Sequence, residues 1–521
     1  MNDMTVFSSR STTKLWGELL LLCFLFPACS WSNQPANLSF KIAAHSSLAG
    51  SLPVHGRLFV ILNSTAEREP RFGIGWADPK ADPFFAKDIF GWNGKAALSF
   101  GEEAIGFPIE SINKLAPGAY YAQALYDVDT TFSFINAPGN FYSAPMKIEI
   151  AAGGKQSFRL TLDQRIPEEQ LPQDTEYVKY VRIQSRLLSE FWKKPMYLRA
   201  AAILPKGYEQ EPQRRYPVRY TIGGYHSRYT NAERMMREGS SFRNDWLSDE
   251  CPRMLLVHLD GEAPFGDSYQ VNSANNGPYG DATIQELIPQ IEKKFRALAT
   301  PQSRFLEGGS TGGWVALALQ IFYPDFFNGA WSFCADGVDF RYFQLVNVYS
   351  DDNAFVNEHG YERPSMRDTD GEPRFSMRHE MMMERVLGRG NTFVTSGGQW
   401  GAWNAVYSPR ATNGWPQAIW DSWTGKIDHQ IAEAWRPYDL REVLANNWPQ
   451  LGPKLQGKLH IWMGDMDNFY LNNAMRLLEK FLNETQNPKS DARLFFAPGE
   501  GHCWQGISEI DMMREMAARV K

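Results

Sequence analysis

The chain has 521 residues, of which 43% are hydrophobic and 21% charged, and its 17 Trp and 33 Phe supply abundant material for buried cores. At about 150 residues per domain this length predicts two or three folded domains, and the composition excludes a disordered or coiled-coil chain. The 59 acidic residues outnumber the 53 basic ones and give a net charge of −6, so no basic surplus exists for a nucleic-acid backbone and nucleic acid is not an expected partner.

The first 30 residues have the order of a secretory signal. Arg10 and Lys14 precede the apolar run 19–26, and small residues follow it. A membrane-spanning helix needs about 20 apolar residues, so this run predicts export and no transmembrane anchor. The motif that ends at Cys29 resembles a bacterial lipobox. Residues 1–30 are therefore predicted to be a signal that is either cleaved near Ser30 or lipidated at Cys29, which would make the protein periplasmic, membrane-anchored or extracellular.

Three cysteines remain beyond this leader: Cys251, Cys334 and Cys503. An odd number allows at most one disulfide in the mature chain, and the sequence leaves the pairing open. The chain contains no Cys/His spacing typical of structural zinc, so no metal site is expected.

Residues 31–165 predict an all-β, sandwich-like accessory domain. Short apolar stretches such as 120–128 and 157–162 are separated by Pro and Gly turns and show no helical period. The polar stretch 163–174 has the composition of a linker. No candidate catalytic group falls in this first part of the chain, so we expect it to position the enzyme or its substrate.

Residues 175–521 predict an α/β domain, a mainly parallel sheet with helices on both faces, because apolar strands alternate with helical segments. Predicted strands are 196–204, 218–222, 254–259, 303–307, 330–334 and 459–463. Predicted helices are 284–295 with a kink at Pro289, 314–323 and 471–482. Residues 350–450 are rich in Trp, Gly and Arg and break this alternation, which predicts an insertion over one end of the sheet. The tryptophans of this insertion either pack together or stack on sugar or aromatic rings of a substrate.

The segment 305–314 carries the strongest chemical signal. A predicted strand meets a Gly-x-Ser-x-Gly motif centred on Ser310, and a buried helix follows. This is the context of a nucleophile elbow, in which the glycines permit a turn too tight for side chains and the serine hydroxyl stands at the helix N-terminus. Ser310 is therefore the predicted nucleophile, and the N–H of Thr311 is the predicted first donor to the oxyanion.

The second oxyanion donor is expected from the loop after strand 218–222. Two glycines there let the backbone approach a substrate closely. The N–H of Tyr225 is the preferred donor and that of Gly224 the second choice. His226 in the same loop either touches substrate or packs within the loop.

A serine nucleophile of this kind is followed along the chain by an acid and then by a histidine. His502 lies in a glycine-containing loop after the strand-like stretch 493–497 and is the predicted base. Asp465 and Asp467 both follow the strand at 459–463. Asp467 is preferred because a Gly-x-x-Asp turn places its carboxylate beyond the bend, and Asp465 remains the alternative.

Several motifs recur in an order that resembles one family. They are Ile203-Leu204-Pro205-Lys206-Gly207-Tyr208, Tyr216-Pro217-Val218, Asp260-Gly261, the run 272–281, Glu286-Leu287-Ile288-Pro289, the elbow, and Tyr323-Pro324-Asp325-Phe326-Phe327. Together they resemble the branch of the α/β-hydrolases that includes esterase D (the S-formylglutathione hydrolases), feruloyl and acetylxylan esterases and enterochelin esterases. The resemblance covers residues 195–515. It implies hydrolysis of carboxylic esters, in small molecules or linked to carbohydrate, without a metal or an organic cofactor.

The predicted function is thus that of an exported serine carboxylesterase that works through a Ser-His-Asp triad and an acyl-enzyme. A serine aminopeptidase or acyltransferase on the same fold is an alternative, and a catalytically inactive surface binding protein is another. A zinc peptidase is excluded because His379-Glu380 has no second histidine at position 383, which is Met383.

Overall fold

The computed structural model describes residues 37–520, so the predicted leader at 1–30 and the question of Cys29 lie outside the described residues. Within this range, none of the helices combines the length and the apolarity that crossing a bilayer requires.

Residues 37–165 form ten strands in two sheets. The strands are β1 (Asn37–Ala44), β2 (His55–Asn63), β3 (Phe84–Phe90), β4 (Leu98–Phe100), β5 (Ile105–Phe107), β6 (Gly118–Asp127), β7 (Phe141–Tyr142), β8 (Met146–Ile150), β9 (Lys155–Leu162) and β10 (Gln164–Arg165). The three-stranded sheet has the order β4-β1-β9, and the seven-stranded sheet has the order β10-β7-β6-β2-β3-β5, with β8 paired to β6. Apolar side chains of both sheets, among them Phe40, Leu58 and Tyr126, meet in one buried core. The division of the chain near residue 165 into separate domains stays a prediction.

Residues 166–520 contain one large sheet and three small hairpins. Their strands are β11 (Val178–Ser185), β12 (Met196–Ile203), β13 (Val218–Ile222), β14 (Leu255–Leu259), β15 (Glu262–Ala263), β16 (Gly266–Asp267), β17 (Asn272–Ser273), β18 (Gly277–Pro278), β19 (Arg304–Gly309), β20 (Ala330–Phe333), β21 (Pro364–Arg367), β22 (Pro373–Ser376), β23 (Leu459–Gly464) and β24 (Arg493–Ala497). The large sheet has eight strands in the order β11-β12-β14-β13-β19-β20-β23-β24.

The large sheet is parallel from β14 to β24, while β12 runs antiparallel to both of its neighbours. The strands at its centre are fully buried, which explains their nearly continuous apolar sequences. The six predicted strands of this region are all present. The antiparallel edge strand β11 was not predicted, because its sequence mixes charged and apolar residues and carries no clear alternation.

Twelve α-helices accompany this sheet: α1 (Arg186–Trp192), α2 (Asn231–Met235), α3 (Ser241–Trp246), α4 (Tyr279–Ala282), α5 (Ile288–Lys294), α6 (Thr311–Phe322), α7 (Met377–Leu387), α8 (Gln399–Tyr407), α9 (His429–Ala434), α10 (Leu440–Leu455), α11 (Asn472–Glu484) and α12 (Glu509–Ala518). The predicted helix 284–295 is interrupted by a π-helical turn at Thr283–Leu287, directly before Pro289. Proline lacks an N–H and clashes with the carbonyl of the preceding turn, so the widened turn relieves the predicted conflict.

The chain between β20 and β23 packs against the N-terminal sheets. Phe59 and Phe84 of those sheets share a buried apolar core with Phe375 and Met383. Arg57 is fully buried at this contact, where it donates to the carbonyl of Val386 at 2.9 Å and pairs with Asp88 at 2.7 Å. The two parts of the chain are thus joined by an apolar contact with a buried ion pair at its edge.

Candidate active site

Ser310 occupies a sharp turn between β19 and α6. Its backbone has φ 58° and ψ −123°, in the left-handed region that a residue with a side chain rarely adopts and that costs about 1–3 kcal/mol. The turn is tight on both sides: a Cβ on Gly308 would lie 2.4 Å from the backbone of Gly312, and a Cβ on Gly312 would lie 2.0 Å from the carbonyl oxygen of Ile222. Only glycine fits at these two positions, which explains the Gly-x-Ser-x-Gly sequence.

His502 and Asp467 lie together. His502 Nδ1 is 2.6 Å from Asp467 Oδ2, and the Asp467 side chain is fully buried. The other carboxylate oxygen, Oδ1, accepts hydrogen bonds from the backbone N–H groups of Phe469 at 2.9 Å and Leu471 at 3.2 Å. With Nδ1–H donating to Asp467, Nε2 of the imidazole is the atom free to accept a proton.

Electrostatics favour protonation of this histidine. Burial by itself would lower the pKa of His502, but the negative charges of Asp467 and Asp336 outweigh burial and raise the pKa above its usual value of about 6.5. The carboxylates therefore make the ring a better proton acceptor and stabilise the imidazolium that would form.

Asp465, the alternative acid, pairs with an arginine and not with His502. Its side chain is 29% exposed and forms a bidentate ion pair with Arg476 at 2.7 and 2.9 Å. A single residue, Met466, therefore separates a partly exposed carboxylate from a buried one that contacts His502.

The predicted oxyanion loop approaches the serine. A Cβ on Gly224 would lie 3.4 Å from Ser310 Cβ, and Tyr225 lines the same cavity as Ser310. Thr311 is buried as the first residue of α6, where unpaired N–H groups gather. His226 is exposed and contacts the ring of Tyr225 in a tilted arrangement, with ring centroids 3.8 Å apart, but it does not line this cavity.

Ser310 and His502 open into one cavity of about 330 Å³. Three parts of the chain build it: the loops at the carboxyl ends of the parallel strands, the segment between β20 and β23, and the N-terminal region. Its lining residues include Trp76, Tyr225, Ser310, Asp336, Gln344, Phe375, Glu380, Gln399, Trp403, Phe469 and His502. The predicted nucleophile and base thus share an enclosed site of a size suited to a small ester.

Comparison with known proteins identifies the family. Residues 196–502, more than half of the chain, match the Esterase family, whose description reads "Putative esterase". The chain belongs to this esterase family. It is therefore a serine hydrolase that acts on carboxylic esters, and its large sheet and helices form the α/β-hydrolase fold. No curated protein matches the chain in sequence.

Solved structures of esterases are similar to this chain. An S-formylglutathione hydrolase from Agrobacterium tumefaciens is 14% identical, over 67% of this chain and 99% of that one, with a TM-score of 0.37. A ferulic acid esterase from Anaeromyces mucronatus is 14% identical, over 67% of this chain and 92% of that one, with a TM-score of 0.33. The fluorophosphonate-binding serine hydrolase F of Staphylococcus aureus is 14% identical, over 66% and 98% of the two chains, with a TM-score of 0.36.

The esterase has a second carboxylate beside the serine, Asp336, which the sequence analysis missed. The hydroxyl of Ser310 donates to Asp336 Oδ1 at 3.4 Å, a long hydrogen bond. Asp336 Oδ2 accepts from the hydroxyls of Tyr269 at 2.5 Å and Thr311 at 3.1 Å, and from Trp403 Nε1 at 3.1 Å. Its position after β20, the neighbour of the nucleophile strand, was the available signal, because the carboxyl ends of adjacent parallel strands meet at one edge.

A disulfide joins two of these loops in the esterase. Cys334, directly after β20, bonds to Cys503, directly after His502, and Cys251 is buried and unpaired within residues 37–520. The pairing that the sequence left open is thus decided by which loops meet at the site. The bridge ties the loop of His502 to the strand beside Ser310.

The insertion's tryptophans are mostly packed. Trp400, Trp403 and Trp420 are at most 2% exposed and contact one another edge to face. Of these three, only Trp403 also lines the cavity. Most of this aromatic cluster therefore supports the cavity wall from behind.

Proposed function

We propose that this esterase hydrolyses carboxylic esters through an acyl-enzyme on Ser310, with His502 as general base and acid and Asp467 as the acid of the triad. The observation that carries the proposal is that His502, hydrogen-bonded to the buried Asp467, lines the same cavity as Ser310. The strained backbone at Ser310 supports it, since such strain is retained where a function requires it.

In the proposed reaction the Ser310 hydroxyl attacks the ester carbonyl and passes its proton to Nε2 of His502. The N–H groups of Thr311 and of Tyr225, or of Gly224 as the second choice, stabilise the oxyanion. His502 then returns the proton to the alcohol oxygen, and the alcohol leaves. A water molecule, deprotonated by His502, then attacks the acyl-enzyme, and His502 returns this proton to Ser310 Oγ as the carboxylic acid is released. No step is assigned to a metal or an organic cofactor.

The alternatives differ in what attacks or leaves. An aminopeptidase would expel an amine, and an acyltransferase would admit an alcohol in place of water, with the same three residues. An inactive binding protein would lack one member of the triad, and the family match argues for ester hydrolysis at this site. The substrate is proposed to be a small-molecule or carbohydrate-linked ester.

Substitution and covalent labelling of the serine test the proposal. Ser310→Ala should lower kcat on a p-nitrophenyl ester by about 10⁴- to 10⁶-fold without changing the melting temperature appreciably. A fluorophosphonate should label the wild type once, at Ser310, and should not label heat-denatured protein. Ser350→Ala is the matched control, because Ser350 is exposed and does not line the cavity. A label on another residue, or activity that survives in Ser310→Ala, would overturn the assignment.

We also propose that the protein is exported by its leader at 1–30. The pairing of Cys334 with Cys503 supports this, because disulfides persist mainly in oxidising compartments. The mass of the mature N-terminus then separates a lipidated Cys29 from simple cleavage near Ser30, and Cys29→Ser should release the protein from membranes only if lipid is attached. Recovery of the intact leader on the mature protein would contradict export by this route.

A further inference from the structure

The cavity holds two carboxyl groups that neither form a bond nor transfer a proton in the proposed reaction, although the charge of Asp336 also raises the pKa of His502. Asp336 is 2% exposed, and its Oδ1 has only the long contact with the Ser310 hydroxyl. Glu380 is half-buried at the cavity wall, where its Oε2 accepts from the hydroxyl of Ser365 and, at 3.0 Å, from Trp400 Nε1. Its Oε1 accepts no hydrogen bond from residues 37–520. Each group thus has one oxygen fixed by donors and one oxygen left without a strong donor.

These acceptors lack a positive partner. Among residues 37–520, no Lys or Arg lines the cavity. Glu292 is paired with Arg304 at 2.7 Å and Glu307 with Arg219 at 3.1 Å. Glu384 is fully buried without a basic partner, but both of its oxygens accept hydrogen bonds, from the hydroxyl of Ser396 and from backbone N–H groups. Burial raises the pKa of both Asp336 and Glu380, so a negative charge on either is costly without a partner. His502 is already hydrogen-bonded to Asp467 at 2.6 Å.

The remaining wall suits a cation. Trp76 meets Phe375 and Phe469 edge to face, with ring centroids 6.1 and 6.3 Å apart, so the three rings form a connected aromatic surface. All three line the cavity, and Trp403 adds a fourth ring beside Asp336. Aromatic faces attract ammonium groups, and this aromatic surface extends to solvent at Trp76, which is 47% exposed.

We propose that the substrate of this esterase carries an ammonium group on its acyl chain, bound by Asp336 and Glu380 within the aromatic wall. This inference rests on the proposed function, because Ser310 must hold the acyl carbon. Since Asp336 Oδ1 lies 3.4 Å from Ser310 Oγ, an amine within a few bonds of the ester carbonyl can reach it. The substrate class is therefore that of short amino-acyl esters, which yield an amino acid and an alcohol on hydrolysis.

A pair of matched esters tests the proposal. Methyl β-alaninate and methyl butanoate have the same shape and differ in an ammonium against a methyl group. At about pH 7 the amine is charged, and wild-type kcat/KM, followed by acid release, should favour the ammonium ester by about 10- to 100-fold. A ratio near or below one would overturn the inference. The proposed function would survive that result if methyl butanoate were still hydrolysed and Ser310→Ala abolished its hydrolysis.

Variants locate the effect. Asp336→Asn should reduce the ratio of the two kcat/KM values by about 10-fold or more and Glu380→Gln by several-fold, whatever happens to the absolute rates. Asp465→Asn removes an exposed carboxylate outside the cavity and should leave the ratio unchanged. A ratio that is equal in Asp336→Asn and wild type would contradict the assignment to Asp336.

An inhibition experiment needs no variant. Butylammonium should compete with methyl butanoate in the wild-type enzyme with an inhibition constant at least about 10-fold lower than that of 1-butanol, its neutral counterpart of equal length. Equal or weaker inhibition by the ammonium compound would refute the proposal even if Asp336→Asn failed to fold.

Discussion

Asp467→Asn is the sharpest test of the proposed triad, because the structure determines how the amide would sit. Oδ1 of Asp467 accepts from the N–H groups of Phe469 and Leu471. In the variant the amide oxygen must keep these two donors, so the amide nitrogen replaces Oδ2, the atom 2.6 Å from His502 Nδ1. The amide then donates to Nδ1, the ring proton moves to Nε2, and Nε2 can no longer accept the proton of Ser310.

The wrong tautomer and the lost negative charge together should lower kcat by about 10⁴-fold, which corresponds to about 5.4 kcal/mol of transition-state stabilisation. KM for a small p-nitrophenyl ester should change little, because Asp467 is fully buried and is not part of the cavity lining. Initial rates of p-nitrophenol release over a range of ester concentrations give kcat and KM. The melting temperature, measured in parallel, shows whether the variant is folded.

Asp465→Asn is the matched control. It breaks only an exposed ion pair with Arg476, and such pairs contribute about 0–1 kcal/mol to stability. Its kcat should stay within about twofold of the wild type, since no contact connects it to His502. The reasoning would fail if a folded Asp467→Asn kept a tenth of the wild-type kcat, or if Asp465→Asn were the more damaging change.

Three further outcomes follow from the site. Because the pKa of His502 is raised and only its neutral ring accepts the Ser310 proton, kcat/KM should rise with pH through one ionisation above about 6.5, and a fall in initial rate across that range would contradict the mechanism. Reduction of the disulfide between Cys334 and the exposed Cys503 should lower both kcat and the melting temperature. The disulfide closes a span of 169 residues, which corresponds to about 5 kcal/mol of chain entropy in the unfolded state. A reduced enzyme with unchanged activity and stability would show that the disulfide does not position the histidine loop. Trp76→Ala removes an N-terminal wall of the cavity and should raise KM about 5- to 10-fold with a smaller effect on kcat, and unchanged kinetics would exclude the N-terminal region from substrate binding.

The sequence by itself determined the features that depend on neighbouring residues. The six strands predicted after residue 175 are present because their continuous apolar runs suit the buried middle of a sheet. Five of them lie in its parallel part, and β12 is antiparallel to both of its neighbours. The turn at Ser310 could be predicted because its geometry depends on the glycines two residues before and after the serine. The order of the motifs was enough to indicate the esterase family.

Only the tertiary structure decided what depends on contacts between distant parts of the chain. Asp465 and Asp467 differ in sequence by two positions, but only the packing of the loop after β23 against that of His502 buries one and exposes the other. Asp336 and Trp76 line the cavity from separate segments of the chain, so no local sequence pattern predicts that they belong to the site. The sequence therefore determined the local backbone geometry. The tertiary structure determined which carboxylates, aromatic rings and cysteines contact one another, because these contacts depend on the packing of segments that are far apart in the chain.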